Sequence, residues 1–290
     1  MHGAILLYGP DTDSEDRGQG MGIPHAMQKL DGWRAARRRT GRMLLALDFD
    51  GTLVPIAPRP EAAVLSGEAR SLVARLAARP DTDVAVVSGR ALEDIRAKVG
   101  LDGVYYAGNH GLEIEGPGVQ RVHADAVAAR PRIEACAAEL REALAGIEGV
   151  VLEDKGVTLS VHYRLVASEE EVARVRATVL RVCGGREGVR ITEGKRVLEA
   201  RPAADWDKGH ATRFLLKALE LDALPRSPAI FIGDDLTDED AFRALRGRGD
   251  GVLVAAGEPS ETAATAVLHS TDEVLELLAA LAEPADAEPS

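Results

Sequence analysis

Three unbroken apolar runs in this chain are each followed by acid or hydroxyl side chains. The runs cover residues 43–47, 84–87 and 229–232. Apolar runs of this length, bounded by polar turns, are typical of strands buried on both faces of a parallel sheet. Because helical patterns lie between the runs, the alternation of strand and helix predicts a doubly wound α/β core.

The polar residues that end these runs are the first candidates for a functional site. Asp48 follows the first run, Ser88 follows the second, and Asp234 follows the third after one glycine. Ligands of open α/β sheets bind at the carboxyl ends of the strands, so we expect these side chains to meet at one edge. The sequence therefore predicts one site built from segments that lie far apart in the chain.

Four polar segments supply the parts that phosphoryl transfer needs. They cover residues 48–52, 88–90, 208–209 and 233–240. An aspartate held in line with phosphorus can attack it, while Mg²⁺ bound by carboxylates offsets the charge of the phosphate oxygens. The combination predicts a phosphate-ester hydrolase that forms an aspartyl-phosphate.

Each side chain in these segments has an expected role. Asp48 is the expected nucleophile, and Asp50 is the expected acid that protonates the leaving oxygen and later activates water. Lys208 is expected to neutralise charge in the transition state. The expected phosphate-binding residues are Thr52, Ser88, Gly89 and Arg90, and the expected magnesium ligands are Asp48, Asp50, Asp234, Asp235 and Asp238.

The acidic segment also allows other interpretations. Asp238 could hold Lys208 instead of the metal, and Asp235 and Asp240 could be supporting or solvent-facing residues. Taken alone, the whole segment could be a solvated helix start, since acidic side chains are favoured at the N-terminus of a helix.

The region over residues 112–199 has a different pattern. Helical faces are predicted over residues 133–144 and after Ser168. Residues 157–163 alternate as a half-exposed strand does, and a hairpin turn is predicted at residues 193–195. Because these strands pair with near neighbours, we expect an antiparallel sheet covered by two helices and inserted into the core as a cap.

These patterns divide the chain into five parts. We expect a partly disordered leader over residues 1–42, the core over 43–111 and again over 201–282, the cap over 112–200, and a disordered tail over 283–290.

Charge and composition limit the partners. With a formal net charge of -12 the chain has no basic block that could release counterions from a nucleic acid, and the short basic run over residues 34–42 is expected to be a solvated helix face. Cys136 and Cys183 lack metal-site spacing, so we expect reduced, buried thiols. No apolar run is long enough to span a membrane. We expect a cytoplasmic monomer that acts on a small molecule.

The four segments, in this order, resemble the motifs of the haloacid dehalogenase (HAD) superfamily. Further stretches are similar to trehalose-6-phosphate phosphatases, namely residues 106–114, 152–156, 159–164, 194–199, 205–209 and 233–242. The resemblance covers roughly residues 43–281. It implies a HAD-like core with an inserted α+β cap of the C2B type.

The resemblance also implies a substrate. It points to hydrolysis of trehalose 6-phosphate to trehalose and phosphate with Mg²⁺, in trehalose biosynthesis. In that family the cap closes over the sugar, and its polar contacts correspond here to Asn109, His110, Glu153, Lys155, His162, Arg164 and Glu199. Hydrogen-bonding side chains suit a disaccharide, which is covered with hydroxyl groups.

Other interpretations stay open. Glu153 with Lys155, and Arg164 with Glu199, could be ion pairs between strands, and the two histidines could be ordinary hydrogen-bonded side chains. The substrate could be another sugar phosphate, such as sucrose phosphate or mannosyl-phosphoglycerate, or the chain could be a phosphomutase. A sugar-phosphate sensor that binds without hydrolysis is a further alternative, although a sensor has no need of two carboxylates at the attack position.

Overall fold

A computed structural model describes residues 22–57, 59–194, 196–224, 229–257 and 261–283. The strands are β1 (Met43–Leu47), β2 (Thr82–Val87), β3 (Val104–Gly108), β4 (Glu113–Gly116), β5 (Val119–Val122), β6 (Val151–Asp154), β7 (Leu159–His162), β8 (Val189–Gly194), β9 (Val197–Pro202), β10 (Ala229–Gly233), β11 (Asp250–Val254) and β12 (Ala266–Leu268). The α-helices are α1 (Leu30–Thr40), α2 (Gly67–Ala77), α3 (Leu92–Val99), α4 (Ala124–Ala143), α5 (Glu169–Cys183), α6 (Lys208–Ala218), α7 (Asp238–Ala244) and α8 (Thr271–Ala282).

The larger of two sheets has eight strands in the order β12-β11-β10-β1-β2-β3-β4-β5. The strands from β12 to β3 run parallel, and β4 and β5 are added antiparallel at one edge. The three apolar runs are β1, β2 and β10, and they lie side by side at the centre. The predicted parallel core is therefore confirmed.

Both faces of this sheet are covered by helices. Met43, Leu45 and Leu47 of β1 pack with residues of α1, α2, α3 and α8, whereas Leu44 and Ala46 pack with residues of α6 and α7. Alternate residues of a strand point to opposite faces, so this division confirms the doubly wound arrangement.

The smaller sheet has the order β6-β7-β9-β8, and all of its strands are antiparallel. Helices α4 and α5 pack on it through one apolar cluster, which includes Ile133, Cys136, Val179 and Cys183. Both cysteines are free and buried. An antiparallel sheet covered by two helices was the architecture expected for the cap.

The expected start of the cap at residue 112 needs correction. Strands β4 and β5 lie in that range, yet β4 pairs with β3 and extends the larger sheet. A hairpin has no sequence signal that tells which sheet it will join, because its register is set locally by its own turn. We infer that the cap covers residues 124–202.

The leader, which was expected to be partly disordered over residues 1–42, contains a helix that docks on the core. Within residues 22–42, α1 packs Leu30 and Trp33 into the core beside α8. In the basic run, Arg37 is 1% exposed and donates from Nη1 to the carbonyl of Leu281 at 3.0 Å. The predicted solvated helix face therefore holds for Arg38 and Arg39, which are exposed on α1, but is wrong for Arg37, which binds the end of α8. The expected disorder of residues 1–21 and 284–290 lies outside the described residues.

None of the helices in the described part of the chain combines the length and apolar composition that crossing a bilayer requires.

Candidate active site

Three aspartates meet at the carboxyl edge of the larger sheet. Asp48, Asp234 and Asp238 each offer a carboxylate oxygen, and these oxygens all lie within 4.8 Å of one another. The parallel register pairs Leu47 with Ile232, so Asp48 after β1 and Asp234 after β10 leave the sheet at neighbouring positions. Asp238 is the first residue of α7. The predicted convergence of distant segments is therefore present.

Lys208 lies between two of these aspartates. Its Nζ donates to Oδ1 of Asp48 at 2.8 Å and to Oδ1 of Asp238 at 2.7 Å, and its side chain is 2% exposed. Lys208 begins α6, whose N-cap is Asp207; the Asp207 carboxylate accepts a bond from the backbone N–H of His210 at 2.7 Å. This N-cap bond of Asp207 fixes the start of α6 and hence the direction of the Lys208 side chain.

The charges of this cluster do not balance. Burial and the neighbouring carboxylates raise the pKa of Asp234 to about 7. Burial also raises the pKa of Asp238, to about 6, although Lys208 opposes the change. Despite its burial, the pKa of Lys208 is raised by Asp238 and Asp48, so the ammonium stays charged. Burial likewise raises the pKa of Asp48 well above its usual range. If all three carboxylates are ionised, the single ammonium leaves an excess of two negative charges, which a divalent cation would neutralise.

The donor set fits the expected metal. Mg²⁺ prefers oxygen ligands and is usually held by one or two carboxylates together with substrate phosphate oxygens. Asp48, Asp234 and Asp238 are the residues among those described that could hold it. Asp50 and Asp235 were also expected as ligands, but the carboxylate cluster includes neither of them.

Asp235 instead stabilises the turn before α7. Its Oδ1 accepts bonds from the backbone N–H of Thr237 at 2.8 Å, the Thr237 hydroxyl at 2.7 Å and the backbone N–H of Asp238 at 3.3 Å. A carboxylate that accepts local backbone bonds is a common turn feature. The supporting role that was left open for Asp235 agrees with these contacts.

Asp50 is held by Arg90. The guanidinium donates from Nε to Oδ2 at 2.6 Å and from Nη2 to Oδ1 at 2.7 Å, and it also binds Asp94 and the carbonyl of Pro60. These bonds use four of the five N–H groups that an arginine has. Arg90, which was expected to bind phosphate, is thus placed to position Asp50, with one N–H left for another acceptor.

The loop after β1 comes very close to Asp234. Gly51 has a φ of +84°, and a Cβ atom added to it would lie 2.2 Å from Oδ2 of Asp234. Glycine is required here both by the left-handed backbone and by the lack of space. The next residue, Thr52, is fully buried, and its hydroxyl has no partner among the described residues. A buried hydroxyl without a partner fits the predicted role of Thr52 toward phosphate.

Ser88 and Gly89 connect the core edge to the cap. The Ser88 hydroxyl accepts a bond from the backbone N–H of Arg90 at 3.2 Å, and the Ser88 carbonyl accepts one from the backbone N–H of His110 at 2.9 Å. The carbonyl of Gly89 accepts a bond from Nζ of Lys155 at 3.0 Å. The cap lysine therefore touches the loop that was predicted to hold phosphate.

Glu199 is the centre of a second polar cluster, on the cap. Its Oε1 accepts bonds from Nζ of Lys155 at 3.2 Å and from the hydroxyl of Ser160 at 3.2 Å. Burial alone would raise the pKa of Glu199, but Lys155, His110 and Arg201 together lower it to about 2. Glu199 is therefore ionised and committed to several donors.

Glu153 and His162 complete this cluster. Nε2 of His162 lies 2.9 Å from Oε2 of Glu153, and Lys155 lies 3.9 Å from the same oxygen. The strand register places Glu153 opposite Ser160, and Ser160 opposite Glu199. Directly opposed residues share one face of a sheet. Four of the predicted sugar contacts thus lie together, on the sheet face that carries Glu199.

Asn109 is placed differently from its prediction. It is fully buried, and its amide donates to Glu113 at 2.8 Å and to the carbonyl of Lys155 at 3.3 Å, while its Oδ1 accepts a bond from the Thr158 hydroxyl at 2.8 Å. An amide that is bonded at both ends joins the segment after β3 to the cap turn at residues 155–158, and a sugar contact would have to replace one of these bonds. Asn109 was chosen from a motif, and motif position alone cannot distinguish these roles.

His110 lies between the two clusters. Its Nε2 is 3.8 Å from Oε2 of Glu199, and its Nδ1 is buried without a partner among the described residues. Burial lowers the pKa of His110 to about 3, so the ring is neutral near pH 7. Arg164, the remaining predicted contact, is exposed just beyond β7.

Arg201 was missed by the sequence analysis. It is 8% exposed, and its Nη1 lies 3.9 Å from Oε2 of Glu199. A usable signal was present, because Glu199 and Arg201 are two residues apart in a strand and therefore share a face.

The profile of the family described as trehalose-phosphatase matches residues 46–273. The chain belongs to the trehalose-phosphatase family. This family member is 38% identical over 290 residues to the trehalose-phosphate phosphatase of Mycobacterium marinum, and the alignment covers 96% of the chain and 73% of that relative. The expected enzyme class, a phosphatase, is thereby confirmed.

Solved structures agree with the fold of this trehalose-phosphatase family member. The C-terminal domain of trehalose-6-phosphate phosphatase from C. albicans is similar with a TM-score of 0.73 and 24% identity, and the match covers 90% of this chain and 98% of that one. A haloacid dehalogenase-like hydrolase from B. subtilis matches with a TM-score of 0.51 and 19% identity, covering 81% of this chain and 98% of the other. These likenesses confirm the HAD-like fold.

Proposed function

We propose that this protein hydrolyses trehalose 6-phosphate to trehalose and inorganic phosphate, as a step of trehalose biosynthesis. The observation that carries the proposal is the buried position of Lys208 between Asp48 and Asp238, beside Asp234. A cation and carboxylates in this arrangement suit attack on a phosphate ester. Family membership supports trehalose 6-phosphate as the ester.

The first half of the proposed reaction transfers the phosphoryl group to Asp48. Lys208 holds Oδ1 of this carboxylate, which orients Oδ2 toward phosphorus. As the bond from Oδ2 to phosphorus forms, the bond from phosphorus to the sugar oxygen breaks, and Asp50 gives its proton to that oxygen. Trehalose and an aspartyl-phosphate result.

The second half regenerates the enzyme. Asp50 accepts a proton from water while the water oxygen attacks phosphorus, and the bond between phosphorus and Asp48 breaks. Because Arg90 binds both oxygens of Asp50, one of them must be released for this exchange with the leaving group and the water. Arg90 thus holds Asp50 as a carboxylate between turnovers, and Asp50 has to leave Arg90 and take up a proton from water before it can act as the acid in the next cycle.

Mg²⁺ is the proposed cofactor. Asp48, Asp234 and Asp238 would hold it, and the ion would supply positive charge to the phosphate oxygens and to the acid-rich edge of the sheet. Thr52 would donate its buried hydroxyl to a phosphate oxygen, and the loop at Ser88 and Gly89 would border the same group.

The proposed role of the cap is recognition of the sugar. Lys155, Glu153, His162 and Glu199 form a hydrogen-bonded group that can exchange partners with sugar hydroxyls. Lys155 already reaches the core at Gly89, so the sugar would be enclosed between the two sheets. A cytoplasmic location and a monomeric state remain predictions from the sequence.

The test is phosphate release from a panel of esters with saturating Mg²⁺. We expect trehalose 6-phosphate to have the highest kcat/KM among trehalose 6-phosphate, sucrose 6-phosphate, mannosyl-phosphoglycerate and glucose 6-phosphate. A higher kcat/KM for another ester of the panel would show that this ester, and not trehalose 6-phosphate, is the preferred substrate. Transfer of phosphate to a second sugar hydroxyl would indicate a phosphomutase, and binding of trehalose 6-phosphate without release would indicate a sensor.

A further inference from the structure

The two chain segments that connect the larger sheet with the cap meet at Trp206. The first segment leaves β5 and enters α4 through His123, and the second leaves β9 and enters α6 over residues 203–207. The rings of His123 and Trp206 are 4.9 Å apart between centroids. Trp206, which belongs to the second connection, therefore touches the first connection as well.

The indole of Trp206 is held from several sides. Its Nε1 donates to the carbonyl of Gly111 at 2.8 Å, the guanidinium of Arg121 lies 4.0 Å from the ring centroid, and the ring of His210 stacks at 5.4 Å. A small apolar cluster, separate from the main cores, packs beside it and contains Leu112, Ala126, Val157 and Ala204. This cluster draws Leu112 from the segment before β4, Ala126 from the first turn of α4, Val157 from the turn between β6 and β7, and Ala204 from the second connection. The place where the two connections meet at Trp206, which we call the joint, thus has its own small apolar core.

The two residues that flank the joint begin helices on opposite sides of it. His123 is the N-cap of α4 in the cap and accepts a bond from the backbone N–H of Asp125 at 3.2 Å. Asp207 is the N-cap of α6 in the core. The indole therefore lies between the start of a cap helix and the start of the helix that carries Lys208.

The start of α6 is the fixed side of this joint. A Cβ atom added to Gly209 would lie 2.4 Å from the carbonyl oxygen of Asp240, and one added to Gly111 would lie 2.2 Å from Cβ of Ala211. These distances show that the first turn of α6 is closely packed against α7 and against the segment before β4. Movement at the joint is therefore expected in the cap connections, which Trp206 holds to this turn.

We propose that Trp206 is a positioning residue that sets the orientation of the cap relative to Lys208. A disaccharide ester must contact both the cap and the core, so its turnover depends on this orientation. A small aryl phosphate needs only the core residues of the mechanism, Asp48, Asp50 and Lys208, and the metal site. The inference rests on the proposed function, because it assumes trehalose 6-phosphate as the substrate. Hydrolysis of the aryl ester can be measured whether or not that assumption is correct.

The test compares Trp206→Phe with Trp33→Phe on two esters. Trp33 is the other tryptophan of the chain, and its indole N–H donates to Asp250 at 2.7 Å, so Trp33→Phe removes a similar bond in α1. We expect Trp206→Phe to lower kcat/KM for trehalose 6-phosphate about tenfold, because a lost hydrogen bond misplaces the cap. Its kcat/KM for p-nitrophenyl phosphate should change less than about twofold, and Trp33→Phe should change neither rate.

Two outcomes of this comparison would overturn the proposal. One is an equal loss on both esters, and the other is a lower melting temperature with both rates unchanged, which indicates a structural role only. Failure of the proposed function is a separate result, since the wild-type protein would then release no phosphate from trehalose 6-phosphate while it still hydrolysed the aryl ester.

A second measurement keeps Trp206 in place and does not depend on folding of its variant. In the Asp48→Asn, Trp33→Phe double variant, Trp206 is the only tryptophan, so the tryptophan emission reports on it alone. The Asp48→Asn substitution blocks turnover, so the substrate stays bound. We expect trehalose 6-phosphate to shift the Trp206 emission and inorganic phosphate, which contacts the core alone, to leave it unchanged. Calorimetric binding of trehalose 6-phosphate without any change in emission would overturn the proposal.

Discussion

The core cluster and the cap cluster use the same side-chain types in opposite ways. In the core, Asp48, Asp234 and Asp238 surround a single ammonium, and negative charge remains. In the cap, two glutamates face Lys155 and Arg201, so the charges balance, and each group already has a partner. The core cluster therefore needs a cation to balance its carboxylates, whereas in the cap cluster the opposite charges already face one another, and Nε of Arg201 is the buried atom of this cluster that lacks a partner among the described residues.

This difference separates the tasks of the two regions. An acid-rich, buried site is expected to favour a divalent cation, because Lys208 alone cannot offset three carboxylates, and the cation would in turn favour the anionic ester. A balanced site gains little net energy from any one contact, since each new hydrogen bond replaces an existing one. Chemistry is expected to depend on the core, and discrimination between sugars on the sum of many small exchanges in the cap.

The largest effect is expected for Asp48→Asn. The amide cannot form an aspartyl-phosphate, so phosphate release should fall by at least about a thousandfold on every ester. Phosphate release and acid-trapped phosphoenzyme measure the effect. Asp240→Asn, at the surface and paired with Arg243 at 2.9 Å, is the matched control and should keep near wild-type rates. Activity of Asp48→Asn within tenfold of wild type would show that another group attacks phosphorus.

Lys155→Ala tests the cap alone. Lys155 binds Glu199 and the Gly89 carbonyl, so its loss should lower kcat/KM for trehalose 6-phosphate about tenfold to a hundredfold. Turnover of p-nitrophenyl phosphate should change less than about threefold. If both esters lose rate equally, Lys155 belongs to the core chemistry and the contrast between the two clusters is false.

Addition and removal of Mg²⁺ test the excess charge of the core. At about a hundred times its dissociation constant, Mg²⁺ should stabilise the folded state by about 2.7 kcal/mol, which is visible as a rise in Tm. Burial and adjacent carboxylates raise the pKa of Asp234 to about 7, so protons compete with the ion below that pH. We expect a larger rise in Tm at pH 8 than at pH 6, reversal by a chelator, and a much smaller rise in Asp234→Asn. If Mg²⁺ raised the Tm of Asp234→Asn as much as that of the wild type, the ion would bind at a different site.

The pH dependence of stability gives the smallest effect and concerns His110. Burial lowers the pKa of His110 to about 3 from 6.5, so between these values the unfolded chain binds a proton that the folded chain does not. The stability from this group is complete above pH 6.5 and falls as the pH drops toward 3. From pH 7 to pH 5 the wild type should lose about 2 kcal/mol more than His110→Gln. Urea unfolding at both pH values measures the difference, and equal losses would contradict a buried neutral ring.

The sequence predicted the central features well because they have short-range signals. The apolar runs located β1, β2 and β10, and the polar residues after them located Asp48, Ser88 and Asp234, while Lys208 was expected from its own segment before a helix. These signals need only local periodicity and the rule that sites form at strand ends.

What the sequence did not predict depends on contacts between distant residues. The pairing of Asp50 with Arg90 joins positions 40 residues apart, and the burial of Asn109 depends on Thr158 in the cap. The sheet that β4 and β5 join and the docking of α1 are also decided by partners elsewhere in the chain. Periodicity predicts a helix or strand but does not identify the surface that it will contact.

The docking of α1 on α8 has a consequence for synthesis on the ribosome. Arg37 and the Leu281 carbonyl that it binds are separated by 244 residues. During translation the apolar side of α1 emerges early and has to wait for α8 before it can be covered, a delay that exposes it to chaperones and to other nascent chains. Completion of this domain is thus tied to the release of its final helix.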